Sequence, residues 1–418
     1  MYQNLGNRID YRWTANHGAQ TFTDDNNLDM RILLIHNFYQ HRGGEDTVVQ
    51  QEADQLSKSY QVKVITTKNS TGLKGLCQFL FYPFNIWKAK KMMKDVLTFE
   101  PDIVHIHNIH YALGPWIIRT LKKKGIPVVM TLHNFRLICP SATLFFKDQL
   151  FTDSLKEDFP WTAVRRKVLD NSFIKTFITA FVYWWHKKIG TWAQLDQFLV
   201  LSDFSKNIFV QSKLGLTENH FTVKPNFASV SYINEKKSEN FFLYIGRLSP
   251  EKGILQLLDA ITTTDHHLKI FGTGPLEKEV IQIVQKHPNI EFLGFQSPDI
   301  LRQNIKKASA LVVPSVCYEG MPMTILEAYG LGTPVLSSNI GILQEMVVPL
   351  QTGLHFDPYS SEGIREALAQ WIALSTQDKA TMSKNCITIY TEKYTAIKNM
   401  DLLLEIYQTA IDHNANKQ

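Results

Sequence analysis

The sequence predicts an α/β protein of two doubly wound domains that face each other across a cleft, with a C-terminal helix packing back on the first domain. Three observations carry this reading. The chain has 418 residues, where a single domain usually holds about 100–200. Short, nearly continuous apolar runs alternate with longer amphipathic ones, the pattern of a parallel sheet covered by helices on both faces. The alternation stops at Lys224-Pro225-Asn226 and a polar stretch from Ser229 to Asn240, and then starts again.

Taken in order, residues 1–29 are polar and aperiodic, without the apolar core of a signal peptide, and read as a disordered N-terminal tail. Met30 opens the first apolar run and is itself a candidate start residue. In the first domain, 30–225, strands are predicted over 30–36, 61–66, 102–107, 127–132, 196–201 and 220–224. Helices are predicted over 45–58, 85–99, 112–124, 172–190 and 204–213. In the second domain, 226–392, strands fall over 241–245, 267–271, 290–293, 310–313, 334–337 and 354–356. Its helices fall over 253–263, 275–286, 298–307, 323–331 and 361–374. A long amphipathic run over 393–413 makes 393–418 the crossing helix. Both domains are therefore read as Rossmann-like, and ligands of such sheets bind beyond the carboxyl ends of the strands. Two sheets facing each other place the site in the cleft.

Hydrophobic residues make up 44% and charged residues 20%, which excludes disordered, collagenous and disulfide-stapled classes. The four cysteines, Cys77, Cys139, Cys317 and Cys386, form no C-x-x-C, so neither a zinc site nor a disulfide framework is indicated, and a cytoplasmic setting fits. The net charge of +5 hides an asymmetry. Residues 30–225 carry 26 basic and 15 acidic groups, whereas residues 226–418 carry 16 and 20. No apolar stretch reaches the roughly 18–20 residues needed to span a bilayer. Two segments combine aromatic and basic residues: Phe79–Lys94, and Phe173–Trp185 with Arg165, Arg166, Lys167, Lys187 and Lys188 around it. They read either as core-facing helices with solvated basic edges or as helices in peripheral contact with an anionic membrane, at the inner face of the cell membrane. No helix-turn-helix, zinc-finger or RNP signature is present, so no nucleic acid is expected.

The strongest motif is Glu319-Gly-Met-Pro-Met-Thr-Ile-Leu-Glu327, between the strand ending at Pro314-Ser315 and Gly332-Thr-Pro-Val. Gly320 lets backbone approach a ligand, and Pro322 suits the first helical position. The free N–H groups of Met321, Met323 and their neighbours at that helix start form an anion site. Glu319 faces the same cleft. Glu327 lies about two turns further along, where a carboxylate can accept two hydroxyls of a ribose. A capped helix with a surface glutamate is the bland alternative. Second comes Gly246-Arg-Leu-Ser-Pro-Glu-Lys-Gly253, directly after strand 241–245. Arg247 and Lys252 there are two cations at a helix start, as a diphosphate leaving group requires. Gly272 and Gly274 in Phe-Gly-Thr-Gly-Pro, and Gly294 after the next strand, are either further ligand contacts or tight strand-to-helix turns.

In the first domain Arg42-Gly43-Gly44-Glu45-Asp46 follows the first strand. The glycines allow close approach, while Glu45 and Asp46 suit the helix dipole but repel phosphate. That loop is expected to meet a sugar or to close the cleft. Histidines recur at strand ends, at His36, His105, His107, His110 and His133. His105-x-His107 has no Asp, Glu or Cys nearby in sequence to complete a metal set, so no metal is expected. His133, followed by Asn134 in Thr-Leu-His-Asn-Phe-Arg, is either a structural residue or a neutral imidazole that meets a sugar hydroxyl or transition-state charge.

GRLSPEKG, followed by the paired glutamates of EGMPMTILEA, resembles the retaining family 4 glycosyltransferases of the GT-B fold. MRILLIHNFYQHRGGED, PDIVHIHN and TLHNFRLICP agree, most closely with bacterial enzymes of exopolysaccharide, capsule and O-antigen synthesis. The resemblance covers about 30–410. It implies transfer of a sugar from a nucleoside-diphosphate sugar, UDP- or GDP-linked, to a glycan or lipid-diphosphate-linked acceptor, without cofactor or metal. Arg247 and Lys252 would hold the diphosphate, Glu319 with the N–H groups of Gly320 and Met321 the sugar and phosphates, and Glu327 the ribose. His133 and the Gly43-Gly44 loop would line the sugar side. No carboxylate nucleophile is evident across the cleft, so a same-face mechanism is implied, with a donor phosphate oxygen taking the acceptor proton. Related exopolysaccharide enzymes often carry cysteines soon after the HNFRLICP stretch, and LFFKDQLFTDSLKEDFPW has none. A nucleotide-sugar 2-epimerase on the same scaffold is the competing function.

Overall fold

A computed structural model describes residues 30–39, 43–230 and 240–416. The tail read over 1–29 lies outside the described residues. The strands are β1 (Arg31–Phe38), β2 (Gln61–Lys68), β3 (Ile103–Ile106), β4 (Val128–Leu132), the short hairpin β5 (Phe145–Phe146) and β6 (Gln149–Leu150), β7 (Gln197–Val200) and β8 (Phe221–Val223). After the linker come β9 (Phe241–Ile245), β10 (His267–Phe271), β11 (Ile290–Gly294), β12 (Ala310–Val313), β13 (Val335–Ser338) and β14 (Gly353–Phe356). Two six-stranded sheets result, ordered β2-β1-β3-β4-β7-β8 and β11-β10-β9-β12-β13-β14, with every pairing parallel.

The β-branched and leucine runs explain the central strands. Ile32 to Ile35 of β1 and Leu243 of β9 are fully buried, because helices cover both faces of each sheet. Helix Ile86–Phe99 buries Ala89, Met92, Met93 and Val96, one stripe at helical spacing. The helix expected over 112–124 is shorter, Trp116–Lys122, because Gly114 with φ 80° and Pro115 define its start. Sequence periodicity also missed helices Gly72–Phe81, Trp161–Arg166 and Thr376–Ile389.

The C-terminal helix Ala396–Ala415 packs back on the first domain. Leu403, Ile406, Tyr407 and Ala410 join Ile32, Leu34, Ile103, Val129 and Leu199 in one apolar cluster. Lys122 Nζ donates to Asn414 Oδ1 at 2.8 Å, and Asn414 Nδ2 donates to the Gly125 carbonyl at 2.6 Å. Asn399 Nδ2 donates to the Pro225 carbonyl at the linker. The helix thus braces the first sheet from a segment that follows the second.

Candidate active site

In the second sheet the chain runs β9, β10, β11 to one side and returns at β12 on the other. Loops after β9 and β12 therefore diverge and leave a crevice at the switch point. The sequence puts its two strongest motifs on these two loops. Lys252, in the turn Pro250–Lys252 after β9, donates Nζ to Glu319 Oε1 at 2.6 Å and Oε2 at 2.7 Å. Ser315 Oγ donates to the same Oε1 at 2.5 Å. Burial opposes the ammonium charge, but the Glu319 carboxylate outweighs it and holds the Lys252 pKa above its ordinary value. Arg247 is exposed, and its guanidinium has no hydrogen bond or ion pair among the described residues.

Helix Met323–Gly330 begins beyond this pair. Pro322 is its N-cap, with extended backbone, and not its first helical residue as the sequence reading had it. Among the described residues the N–H groups of Gly320 and Met321 donate to nothing. Met321 is buried, and its Sδ accepts from Asn226 N in the linker at 3.2 Å. Met323 packs against the second domain's core. Glu327, half-buried on the helix, has no hydrogen bond or ion pair among the described residues. Burial pushes its carboxyl pKa up, against the pull of Arg302.

The glycines fall into three groups. At Gly272, φ is 136° and a Cβ would stand 1.8 Å from the Gly246 carbonyl oxygen. Gly272 N donates to the Gly294 carbonyl at 2.9 Å. Gly246 and Gly272, with Gly274 against Leu248, are packed turns at strand ends, whereas Gly294 has φ 65° and open space where a Cβ would stand. Gly320 does something different. A Cβ there would lie 2.3 Å from the His133 carbonyl oxygen, so this glycine lets the second domain touch the first. Tyr318 beside it packs on Phe204 at 4.8 Å and Phe135 at 6.3 Å between ring centroids.

The first domain presents its own switch point, between β1 and β3. Gly43 and Gly44 lie exposed at the start of helix Gly44–Leu56, and Gly43 N donates to Asp46 Oδ2 at 2.8 Å. His36 Nε2 meets Asp46 Oδ1 at 2.7 Å. Asn108 Nδ2 donates to Glu45 Oε1 at 2.7 Å. Burial, reinforced by Asp46, pushes the Glu45 carboxyl up to about 8. His133 Nε2 meets His107 Nδ1 at 3.1 Å, with the rings stacked. Burial, and then His107, hold the His133 pKa well below the ordinary value, so the imidazole is neutral. Asn134 turns its Oδ1 back on its own loop, accepting from Arg136 N at 3.0 Å.

One sequence inference is corrected. His105 and His107 do have a carboxylate beside them: Glu52 Oε2 lies 3.8 Å and 3.3 Å from them. Glu52 comes from helix Gly44–Leu56, remote in sequence, and the helix pattern gave no hint that it points inward. The cluster is only partly paired: Glu52 Oε2 and His107 Nε2 lie buried without a hydrogen bond among the described residues. Lys224, from the end of the first sheet, pairs with Glu52. His105 uses both ring nitrogens, on Tyr407 Oη at 2.8 Å and Thr131 Oγ1 at 2.7 Å. In a second such group, His36 with Glu45 and Asp46, His36 Nε2 meets Asp46 while Nδ1 has no hydrogen bond among the described residues.

Two family descriptions together span this architecture: glycosyltransferase family 4 over residues 42–231 and glycosyl transferases group 1 over residues 229–407. The chain belongs to the family 4 glycosyltransferases. This glycosyltransferase is 30% identical over 289 residues to an uncharacterized glycosyltransferase of Methanocaldococcus jannaschii, a match covering 68% of the chain and 69% of that protein. It is 29% identical over 177 residues to the D-rhamnosyltransferase WbpZ of Pseudomonas aeruginosa, covering 41% and 46%. It is 28% identical over 192 residues to the O-antigen chain mannosyltransferase C of Escherichia coli, covering 44% and 50%. The chain thus spans half or less of these last two relatives. Its fold matches sucrose-phosphate synthase of Thermosynechococcus elongatus with a TM-score of 0.68 at 17% identity, over 92% of this chain and 100% of that one. Anabaena HepE in complex with UDP matches at 0.63 and 18%, over 91% and 100%. The family 4 glycosyltransferase therefore has the GT-B fold, and its Lys252–Glu319 pair lies at the switch point of its second sheet.

Proposed function

We propose that the protein transfers a sugar, with retention of configuration, from a UDP- or GDP-sugar to a glycan or lipid-diphosphate-linked acceptor in surface polysaccharide synthesis. The observation that carries this is the crevice between the β9 and β12 loops. There the Lys252–Glu319 pair, the free Arg247 guanidinium and the unpartnered N–H groups of Gly320 and Met321 converge on one switch point. Departure of a nucleoside diphosphate builds negative charge on phosphate and positive charge on the sugar, and fixed donors aimed at the phosphate stabilise that state. Arg247, Lys252 and the N–H groups meet the phosphates, so no metal is required. Glu319 holds Lys252 in place and faces the transferred sugar. Glu327, without a partner among the described residues, accepts the two ribose hydroxyls. The neutral His133 imidazole, brought to the donor loop by the Gly320 contact, meets the sugar from the other wall.

Support for the donor class comes from the HepE complex with UDP, and for the acceptor class from relatives named for O-antigen assembly. The test is a donor screen by thermal shift with UDP-, GDP- and ADP-sugars, followed by transfer assays in EDTA with the anomeric configuration of the product read by NMR. Stabilisation by a UDP- or GDP-sugar and a product of unchanged configuration support the reading. Isomerisation of the donor sugar without acceptor would mark a 2-epimerase instead. An inverted product, or activity abolished by EDTA, would sink the retaining or the metal-free part.

A further inference from the structure

The first domain carries an apolar face that its own fold leaves uncovered. Helix Gly72–Phe81 buries no residue at all. Leu73, Leu76 and Leu80 lie on one stripe and are 82%, 53% and 55% exposed, and Phe81, Phe84 and Trp87 follow at 64%, 46% and 82%. Large apolar side chains scattered singly on a surface are ordinary, but a contiguous group of this size marks an interaction site. The group is held in place by Tyr82 between the two helices. Tyr82 is fully buried, and its hydroxyl meets His110 Nδ1 at 2.9 Å.

The face continues. Phe84 contacts Trp185, and Trp185, Phe181, Phe177 and Phe173 stack in turn along helix Phe173–Lys188 at four-residue spacing. Phe173, Ile174 and Trp161 at its far end are again exposed. The charge around this face is predominantly basic. From Ser70 to Lys94 the sequence has five lysines and no acidic residue. Lys74 and Lys91, from two different helices, both depress the pKa of Lys88 after burial, so the three ammoniums converge beside the exposed leucines. The acidic residues of the second half are already neutralised: Asp158 by Lys187 and Lys188, Asp170 by Lys175.

We infer that this face docks the protein on an anionic lipid bilayer, with the leucines, Phe81, Phe84 and Trp87 entering the interface and Lys74, Lys88, Lys90, Lys91 and Lys94 contacting lipid phosphates. Aromatic and aliphatic groups on a helix lying flat, rimmed by lysines, are what an interfacial site requires, and the predominance of basic charge selects a bilayer over a protein surface of mixed charge. No helix among the described residues is long and apolar enough to cross a membrane, so this is contact with one leaflet. The docking face also adjoins the first-domain wall of the cleft through His110 and Asn69, whose Oδ1 accepts from Asn37 Nδ2 at 3.1 Å. An acceptor held in the bilayer by a lipid would reach the site from that side.

The test uses the full chain without donor, so its outcome is independent of the proposed reaction. Flotation with phosphatidylcholine vesicles, with and without phosphatidylglycerol, is measured at low and high salt. Binding to the anionic vesicles that weakens with salt is expected. Lys88→Glu with Lys91→Glu should weaken partitioning about tenfold or more. Leu76→Ser with Trp87→Ser should weaken it comparably at unchanged salt dependence, and both pairs should melt close to the parent because Leu76, Trp87 and Lys91 are exposed and Lys88 is only partly covered. No binding to anionic vesicles at low salt would overturn the inference. So would binding insensitive to both pairs of substitutions, or a self-association that Trp87→Ser dissolves in the absence of lipid.

Discussion

The two walls of the cleft treat polar groups in opposite ways. On the second-domain wall, Arg247, Glu327 and the N–H groups of Gly320 and Met321 have no partner among the described residues, and Lys252 and Glu319 satisfy each other at a largely buried position. On the first-domain wall most titratable groups have a partner, His36 with Asp46, Glu52 with Lys224, His105 with Tyr407 and Thr131, and His36 Nδ1, Glu52 Oε2 and His107 Nε2 are left without a hydrogen bond among the described residues. Unpaired polar groups at a strand's carboxyl end are costly unless a ligand completes them. Under the proposed function the first wall would serve mainly as a scaffold behind His133 and the Gly43-Gly44 loop, while the second wall would meet the donor. Substitutions should separate the two, costing stability on one wall and turnover on the other.

The largest effect is expected at Glu52. Its carboxylate is fully buried and held by the Lys224 ammonium, with the two histidines beside it. Glu52→Ala strands a buried charge and should lower unfolding free energy by about 3–5 kcal/mol, read by chemical denaturation. Combining it with Lys224→Met removes both charges and should recover most of the loss. A Glu52→Ala protein as stable as the parent would contradict the scaffold role. Next come Lys252→Ala and Glu319→Ala, each expected to slow transfer by about 10²–10³ and to cost less stability than Glu52→Ala, because the pair keeps some contact with solvent. Equal losses of stability and turnover would erase the contrast between the walls.

A smaller effect is expected at Glu327. If it accepts ribose hydroxyls, Glu327→Ala should weaken donor binding by about 1.5–3 kcal/mol, the value of hydrogen bonds to a charged group, measured by calorimetry. The free protein should gain stability or stay unchanged, since the substitution removes a half-buried carboxylate with no partner. Unchanged donor affinity would remove Glu327 from the site.

Much of the donor wall was legible in sequence because it is local. GRLSPEKG and EGMPMTILE each place their groups on one loop, and parallel β9–β12 pairing alone brings the loops together. The first wall was less legible because its partners come from distant segments. Glu52 and Tyr407 are separated from the histidines they meet, and Lys224 from Glu52, by tens to hundreds of positions, and the apolar periodicity that identifies a helix does not say which polar residue turns inward. The exposed helix Gly72–Phe81 was missed for a different reason. Leu73, Leu76 and Leu80 do fall at helical spacing, but Gly72 and Gly75 among them weigh against a helix.

The subtlest separation between the walls is in pH dependence. Glu45 ionises near an ordinary carboxyl value of 4.5 when unfolded and at about 8 when folded, through burial first and Asp46 second. Between those values the folded state binds the extra proton, so stability falls as pH rises through that window and is level on either side of it. Glu45→Gln keeps an oxygen for Asn108 Nδ2 but cannot ionise. Its melting temperature should therefore match the parent's below about pH 4.5 and exceed it increasingly up to about pH 8, beyond which the gap stays constant. Asn108 and the Arg136 guanidinium both pull the Glu45 value down, so removing either partner should widen the gap. A gap that does not vary with pH would show that Glu45 is solvated like an ordinary surface carboxylate. The first wall would then share the open, unspent character of the second.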